Sequence, residues 1–199
     1  SILGRTMMLG FIASASAVLI AYPMAYWLNR SHSRWRSICV ATIVLSFFVI
    51  TVVRVFAWTL VLGREGFVNK VLKAIGFIDQ PLQFLYNEMG VTLVLIHYLL
   101  PAVTLVLATS LQRIDRTLEL ASQNLGANTV ETFFAVTLPL SIPGIVAALT
   151  LAFALCISTF TTPVIIGGGR VLLLANTLYD TMFTSMNFPF ASALAIITL

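Results

Sequence analysis

The residues able to do chemistry in this chain are few, and their spacing argues against covalent catalysis. His32 and His97 stand 65 positions apart with no acid or thiol at ligand spacing, so neither a metal centre nor a nucleophile–base pair is supported. Cys39 and Cys156 lie in or beside apolar runs without metal-like spacing and read as small core side chains. No G-x-x-x-x-G-K-[ST] run is present, so the chain cannot cradle ATP itself. What remains is a set of polar and aromatic groups embedded in apolar stretches. Ser158, Phe160, Thr161 and Thr162 crowd against Pro163, and Tyr98 stands near Pro101. A proline-loosened helix carrying hydroxyls and rings suits the wall of a solute path, since interrupted helices are tolerated where they face a cavity. The same hydroxyls could instead bond carbonyls one turn earlier or bridge helices. Arg54 is the one charge inside an apolar span. Two readings stand for it, a structural pairing within a complex and a path-lining role.

The elements that hold these groups are membrane spans. Of 199 residues, 59% are apolar and 9% charged, with mean hydropathy +1.01. A soluble domain is about 45–50% apolar and about 25% charged, which excludes a water-soluble enzyme. The net charge of +4 is spread too thinly for a nucleic-acid surface. Met7 to Leu28 is 22 residues without a charge, about 33 Å of helix and enough to cross a bilayer. Ser37 to Leu62, Val91 to Leu111 and Ile142 to Ile166 supply further spans. A fifth starts near Pro189 and is still running at Leu199, and Ser1 lies close to a span, so six are expected in a complete chain. The fold class is therefore all-α, a polytopic transmembrane bundle forming one domain over residues 1–199.

Local patterns add detail. Ala13, Ala17, Ala21 and Ala25 recur every four residues after Gly10 and Ser14, a flat face for close helix packing. Pro23 loosens the end of that helix. The link Asn29-Arg30-Ser31-His32-Ser33-Arg34-Trp35-Arg36 is short and basic, which places it in the cytoplasm, with Trp27 and Trp35 as interfacial anchors. Alternation then puts 63–90 and 167–188 outside and 112–141 inside. Phe67, Val68, Val71, Leu72 and Ile75 form the apolar side of a short interfacial helix, with Asn69, Lys70 and Lys73 opposite, and Gly76 ends it.

The segment 112–142 is the longest polar stretch on the inner side. Helical runs over Leu118–Leu125 and Val130–Val136 flank Gly126, with Asn128 or Thr129 as N-cap and Leu138-Pro139 as the stop. Leu118, Leu125, Phe133 and Phe134 form the side expected to dock against something.

Here the chain resembles the membrane subunits of binding-protein-dependent ABC importers. Their loop reads Glu-Ala-Ala, three residues, Gly, nine residues, Ile-x-Leu-Pro. Gly126 is followed by nine residues and then Val136-Thr137-Leu138-Pro139, so the second half matches. In the first half the family glutamate falls on Leu120 and the alanines on Ala121 and Ser122, while Glu119 sits one place early. Tyr22–Trp27, Arg54–Trp58, Arg64–Asn69, Thr162–Gly169 and Ala175–Asp180 look like the spermidine/putrescine-type branch. The resemblance implies a type I importer permease in the bacterial inner membrane, with no catalysis of its own. It implies a second homologous permease, two ATPase subunits holding ATP and Mg, an extracytoplasmic binding protein, and a polyamine as solute. Glu119, Ala121, Gly126, Phe133, Leu138 and Pro139 would form the ATPase-coupling loop. Arg54, Tyr98, Ser158, Phe160, Thr161, Thr162 and Pro163 would line the path. A different small organic or anionic solute stays open within the class, and a secondary transporter or channel outside it; the one span charge and the lack of a clear internal repeat count against the latter. The orientation is open to test: cysteines at Ser33 and Asn128 should react with impermeant thiol reagents only from the cytoplasm, and those at Lys73 and Gly168 only from outside. Labelling from the reverse sides overturns it.

Overall fold

The structure is a computed structural model that describes residues 2–31 and 34–198, excluding the side chains of residues 34, 35, 197 and 198. The expectations placed on Ser1, His32, Ser33, the Trp35 ring and Leu199 lie outside the described residues. Regular structure among the described residues is helical throughout. The first helix, α1, runs Ile2–Arg30 and passes through Pro23 without a break. Its small-residue face is packed as the spacing predicts: Ala13, Ser14, Ala17, Ala21 and Ala25 are fully buried.

The second span is not one straight helix. It divides into α2 (Arg34–Phe48) and α3 (Thr51–Leu62), and the chain bends by 101° between Arg36–Phe48 and Thr51–Ala74. No proline or glycine marks the break. The run Val49-Ile50-Thr51-Val52-Val53 is wholly β-branched, and such side chains lose rotamer freedom in a helix. Ile50 is extended there, with ψ 130°. Arg54, on the first turn of α3, reaches back to donate from Nη2 to the Val49 carbonyl at 3.3 Å, and its guanidinium lies 5.7 Å from the centre of the Tyr98 ring. At 7% exposure it is held inside the fold.

After α3 come α4 (Phe67–Ala74) and the long α5 (Glu88–Gln112), then α6 (Arg116–Asn124) and α7 (Thr129–Thr132). A π-helical turn, Phe133–Thr137, leads into α8 (Leu138–Ser158), followed by α9 (Thr161–Gly167), α10 (Leu174–Tyr179), a second π turn (Asp180–Thr184) and α11 (Phe188–Thr198). Three of the helical segments, Ile2–Arg30, Glu88–Gln112 and Thr129–Ser158, are long and apolar enough to cross a membrane, and the bent pair makes a fourth if it counts as one span. α11 contributes 11 residues to the expected fifth.

The chain divides into two compact units. One holds residues 1–14, 48–98 and 153–199; the other holds 15–47 and 99–152. In the first, α3 packs on α9 and α10 on α11. Arg5 pairs with Glu88 at 2.9 Å, the Leu174 amide donates to Thr6 Oγ1 at 3.0 Å, and the Tyr86 amide donates to the Ile166 carbonyl at 2.8 Å. In the second, Gly144 lies so close to Ser110 that a Cβ would overlap its hydroxyl, and Tyr22 shares a 2.7 Å hydrogen bond with Ser141.

The interfacial helix appears as α4, and Gly76, at φ +75°, closes it where a side chain would be strained. Its faces depart from expectation in one respect. Phe67, Val71 and Ile75 are exposed, whereas Asn69 is buried at 3%. The reason is backbone demand: the Asn69 amide donates to the carbonyls of Gly63 and Leu82, both at 3.0 Å, and accepts from the Leu82 amide at 2.9 Å. Replacing Asn69 by Leu therefore strands three backbone groups and should cost about 1–3 kcal/mol or more, read as earlier thermal unfolding in detergent. Arg54→Met should also unfold earlier, by about 1–3 kcal/mol for the abandoned Val49 carbonyl, with Arg54→Lys intermediate. Melting temperatures equal to the parent protein would remove the bracing role given to each side chain.

Candidate functional site

The segment 112–142 builds a rigid platform from local hydrogen bonds. Asp115 starts α6 by accepting from the Thr117 amide at 2.9 Å. That bond, together with one to the Thr117 side chain, holds the Asp115 carboxyl below its ordinary range. A lowered carboxyl pKa means that the cap is intact above that range and is lost only as pH falls through the depressed value. At the other end Gly126 adopts φ +97°, and the Ala127 amide donates to Ser122 O at 3.2 Å. Asn128 then caps α7, accepting from the amides of Val130 and Glu131, while Glu131 accepts from the Asn128 amide at 2.8 Å.

Leu138-Pro139 was expected to stop the second run, but the helix continues through it from Thr129 to Ser158. The π turn is the reason. Within it the Leu138 amide bonds Phe133 O, five residues back, and Pro139 has no amide to place in the register change.

The platform has a buried side and an open side. Glu119 is 7% exposed. It pairs with Arg30, at the end of α1, and accepts from the Thr137 hydroxyl at 2.6 Å. Thr132 donates to Ser122 at 3.3 Å. Phe133 meets the edges of Tyr22 and Tyr26, with centroids 6.0 and 5.4 Å away, and so belongs to the inner side, not to the open face expected for it. Leu118, Leu120, Leu125, Val130 and Phe134 are exposed, Leu125 at 90%. Ala121 and Pro139 are also exposed, and Leu138 is half-buried.

The polar cluster of the fourth span lies at a helix break. α8 ends at Ser158, Thr159 and Phe160 link, and α9 starts at Thr161, so Pro163 falls in a first turn where its missing amide costs nothing. Asn176 closes the gap, donating to the Phe160 carbonyl at 3.2 Å. Ser158 bonds back to Ala154 O at 2.8 Å while remaining exposed. Thr162 and Pro163 are buried, and the Thr162 hydroxyl has no partner among the described residues. Phe160 stacks on Tyr179 at 4.6 Å between centroids, and Tyr179 on Phe183 at 4.9 Å. These rings, with Ile157, Ser158, Ala175 and Leu178, line a cavity of about 390 Å³.

Of the seven residues read as path-lining, only Ser158 and Phe160 line this cavity. Arg54 and Tyr98 meet each other elsewhere in the same unit. Asn176, Tyr179 and Phe183 complete the site and were missed. The four-residue spacing of Tyr179 and Phe183 was the available signal, because such rings share a helix face. The two residue sets separate cleanly: the loop set falls in the unit of 15–47 and 99–152, the path set in the other. Among the described residues no three His, Cys, Asp or Glu side chains gather as a metal centre would need.

The chain is 34% identical over 185 residues to the spermidine/putrescine transport system permease protein PotB of Haemophilus influenzae, an alignment covering 93% of this chain and 65% of that one. PotB of Escherichia coli K12 is 26% identical over 195 residues, covering 98% and 71%. The molybdenum transport system permease protein ModB of Haemophilus influenzae is 32% identical over 156 residues, covering 76% and 66%. The chain thus spans about two-thirds of the length of these relatives. Its fold matches a chain in the crystal structure of a bacterial ABC transporter that imports the acidic polysaccharide alginate, with TM-score 0.74 at 18% identity, over 97% of this chain and 72% of that one. Residues 17–199 match the family of binding-protein-dependent transport system inner membrane components, and the chain belongs to that family.

Proposed function

We propose that this chain is the membrane-spanning permease subunit of an ATP-driven importer, that it forms half of a translocation path, and that its solute is a polyamine of the spermidine or putrescine type. The observation that carries the coupling is the platform at 112–142. Its shape is locked by its own caps, its one buried carboxylate, Glu119, is turned inward, and leucines and a phenylalanine face out uncovered among the described residues. In a family that works with partner proteins, such a face fits a groove on a separate ATPase that supplies ATP and Mg. The same reading places the platform and the basic 29–36 link in the cytoplasm, and both fall in one compact unit. A second homologous permease completes the path, and an extracytoplasmic binding protein delivers the solute.

The polyamine reading is supported by relatives named for spermidine and putrescine and by the ring-lined cavity, since aromatic faces attract ammonium groups. Arg54, which would repel a polycation, is braced against Val49 and Tyr98 and does not line that cavity. The relative named for molybdenum transport keeps an anionic solute as the competing reading. Reconstituted vesicles holding the full complex decide between them. Spermidine or putrescine should enter in an ATP-dependent manner, and Tyr179→Ala should lower that uptake by about tenfold, the scale of one lost ring contact of ~1–2 kcal/mol. Gly126→Val, which forces a side chain into φ +97°, should abolish uptake while leaving pairing with the second permease intact. Exclusion of both polyamines with uptake of molybdate would overturn the solute. Full uptake by Gly126→Val would overturn the docking model.

A further inference from the structure

The caps that shape the platform do not attach it to the spans. Asp115, Gly126, Asn128 and Glu131 are exposed, and the capping bonds of Asp115, Asn128 and Glu131 stay within 115–131. Attachment comes from the buried side, and there one carboxylate joins three elements. Glu119 belongs to the first turn of α6, its partner Arg30 is the last residue of α1, and its other partner Thr137 is in the π turn. Each charge sits at the helix end that suits it, an anion near an N-terminus and a cation at a C-terminus. Arg30 is further steadied over the Tyr26 ring at 5.4 Å. Removing the Arg30 guanidinium leaves the buried Glu119 carboxylate without its cation.

We propose that Glu119 is a positioning residue which, through Arg30, ties the 112–142 platform to α1 so that displacement of the platform is carried along that helix. α1 is suited to carry it: 29 residues run unbroken, about 43 Å at the helical rise. Near its other end Thr6 accepts from the Leu174 amide, at the start of the helix that bears Tyr179. The proposal rests on the reading of the platform as the ATPase contact, and its test separates the two.

Spin labels at Met24→Cys on α1 and Gln123→Cys on α6, both exposed positions, report the tie in the complete complex with its ATPase and binding protein. In the parent complex their distance distribution should be narrow, and the same with and without ATP and vanadate. In Glu119→Gln and in Arg30→Met it should broaden, and binding-protein-stimulated ATP hydrolysis should fall at least about fivefold, within the range of coupling between sites. The double variant should lose no more than the worse single one, because both changes break one interaction. Distributions as narrow as the parent's in the single variants overturn the proposal, as do losses that multiply in the double variant. If Arg30→Met fails to assemble, Glu119→Gln alone decides, since it keeps the side-chain volume. A cysteine at Leu125 that fails to cross-link to the ATPase overturns the docking reading instead, while the label distances still decide the tie.

Discussion

Hydrocarbon offers no hydrogen-bond partner, so every place where a membrane helix stops or turns must satisfy its own backbone. A stranded buried group costs about 1–3 kcal/mol, and this chain meets that demand with side chains. Arg54 takes the carbonyl of Val49 at the 101° bend. Asn176 takes the carbonyl of Phe160 where α8 ends, and Asn69 ties Gly63 to Leu82 beside α4. These are among the few polar residues that the fold buries, and each sits at a discontinuity. The breaks in turn create the features with functional interest. Without the interruption at Thr159-Phe160, the Phe160 ring would continue a regular helix face and would not meet Tyr179 across the gap.

Both π turns occur where a helix changes duty. Phe133–Thr137 converts the loop helix α7 into the spanning helix α8, and its extra residue per turn brings Thr137 to Glu119 and Phe133 to Tyr22 and Tyr26. Asp180–Thr184 extends α10 so that Phe183 stacks on Tyr179. At the first π turn, each residue of register lost would turn Thr137 and Phe133 about 100° from their present partners. The shift explains why Pro139 is tolerated, since the proline falls where the bonding pattern is already changing.

The spans, the small-residue face of α1, the Gly126 turn and the Asn128 cap were legible because each depends on short-range pattern: charge-free length, four-residue spacing, a residue that accepts positive φ. Three things were not. The bend at Val49 has no proline or glycine, only a β-branched run whose weak helix preference is decided by what Arg54 can reach. Asn69 sits by composition on the polar side of an amphipathic helix, yet burial follows the backbone groups of Gly63 and Leu82, which lie far along the chain or beyond a turn. Glu119 is one place away from the family glutamate, and one place on a helix is about 100°. Its turn inward toward Arg30 depends on α1, which is distant in sequence.

That displacement has a consequence for how the platform would meet a partner. With Leu120 at the outward position and Glu119 buried, the exposed residues include Leu118, Leu120, Leu125, Val130 and Phe134 beside the charges of Arg113, Asp115, Arg116 and Glu131. Contact at the apolar side chains would rest on burial, which is non-directional and tolerant of small shifts. The directional bonds lie behind it, in Glu119, Arg30 and Thr137. A rigid attachment inside and an adaptable contact outside would suit a piece that moves as a body, as the proposed coupling requires. A surface that slides transmits little unless what stands behind it holds its shape, and a buried ion pair between two helix ends holds orientation as well as distance.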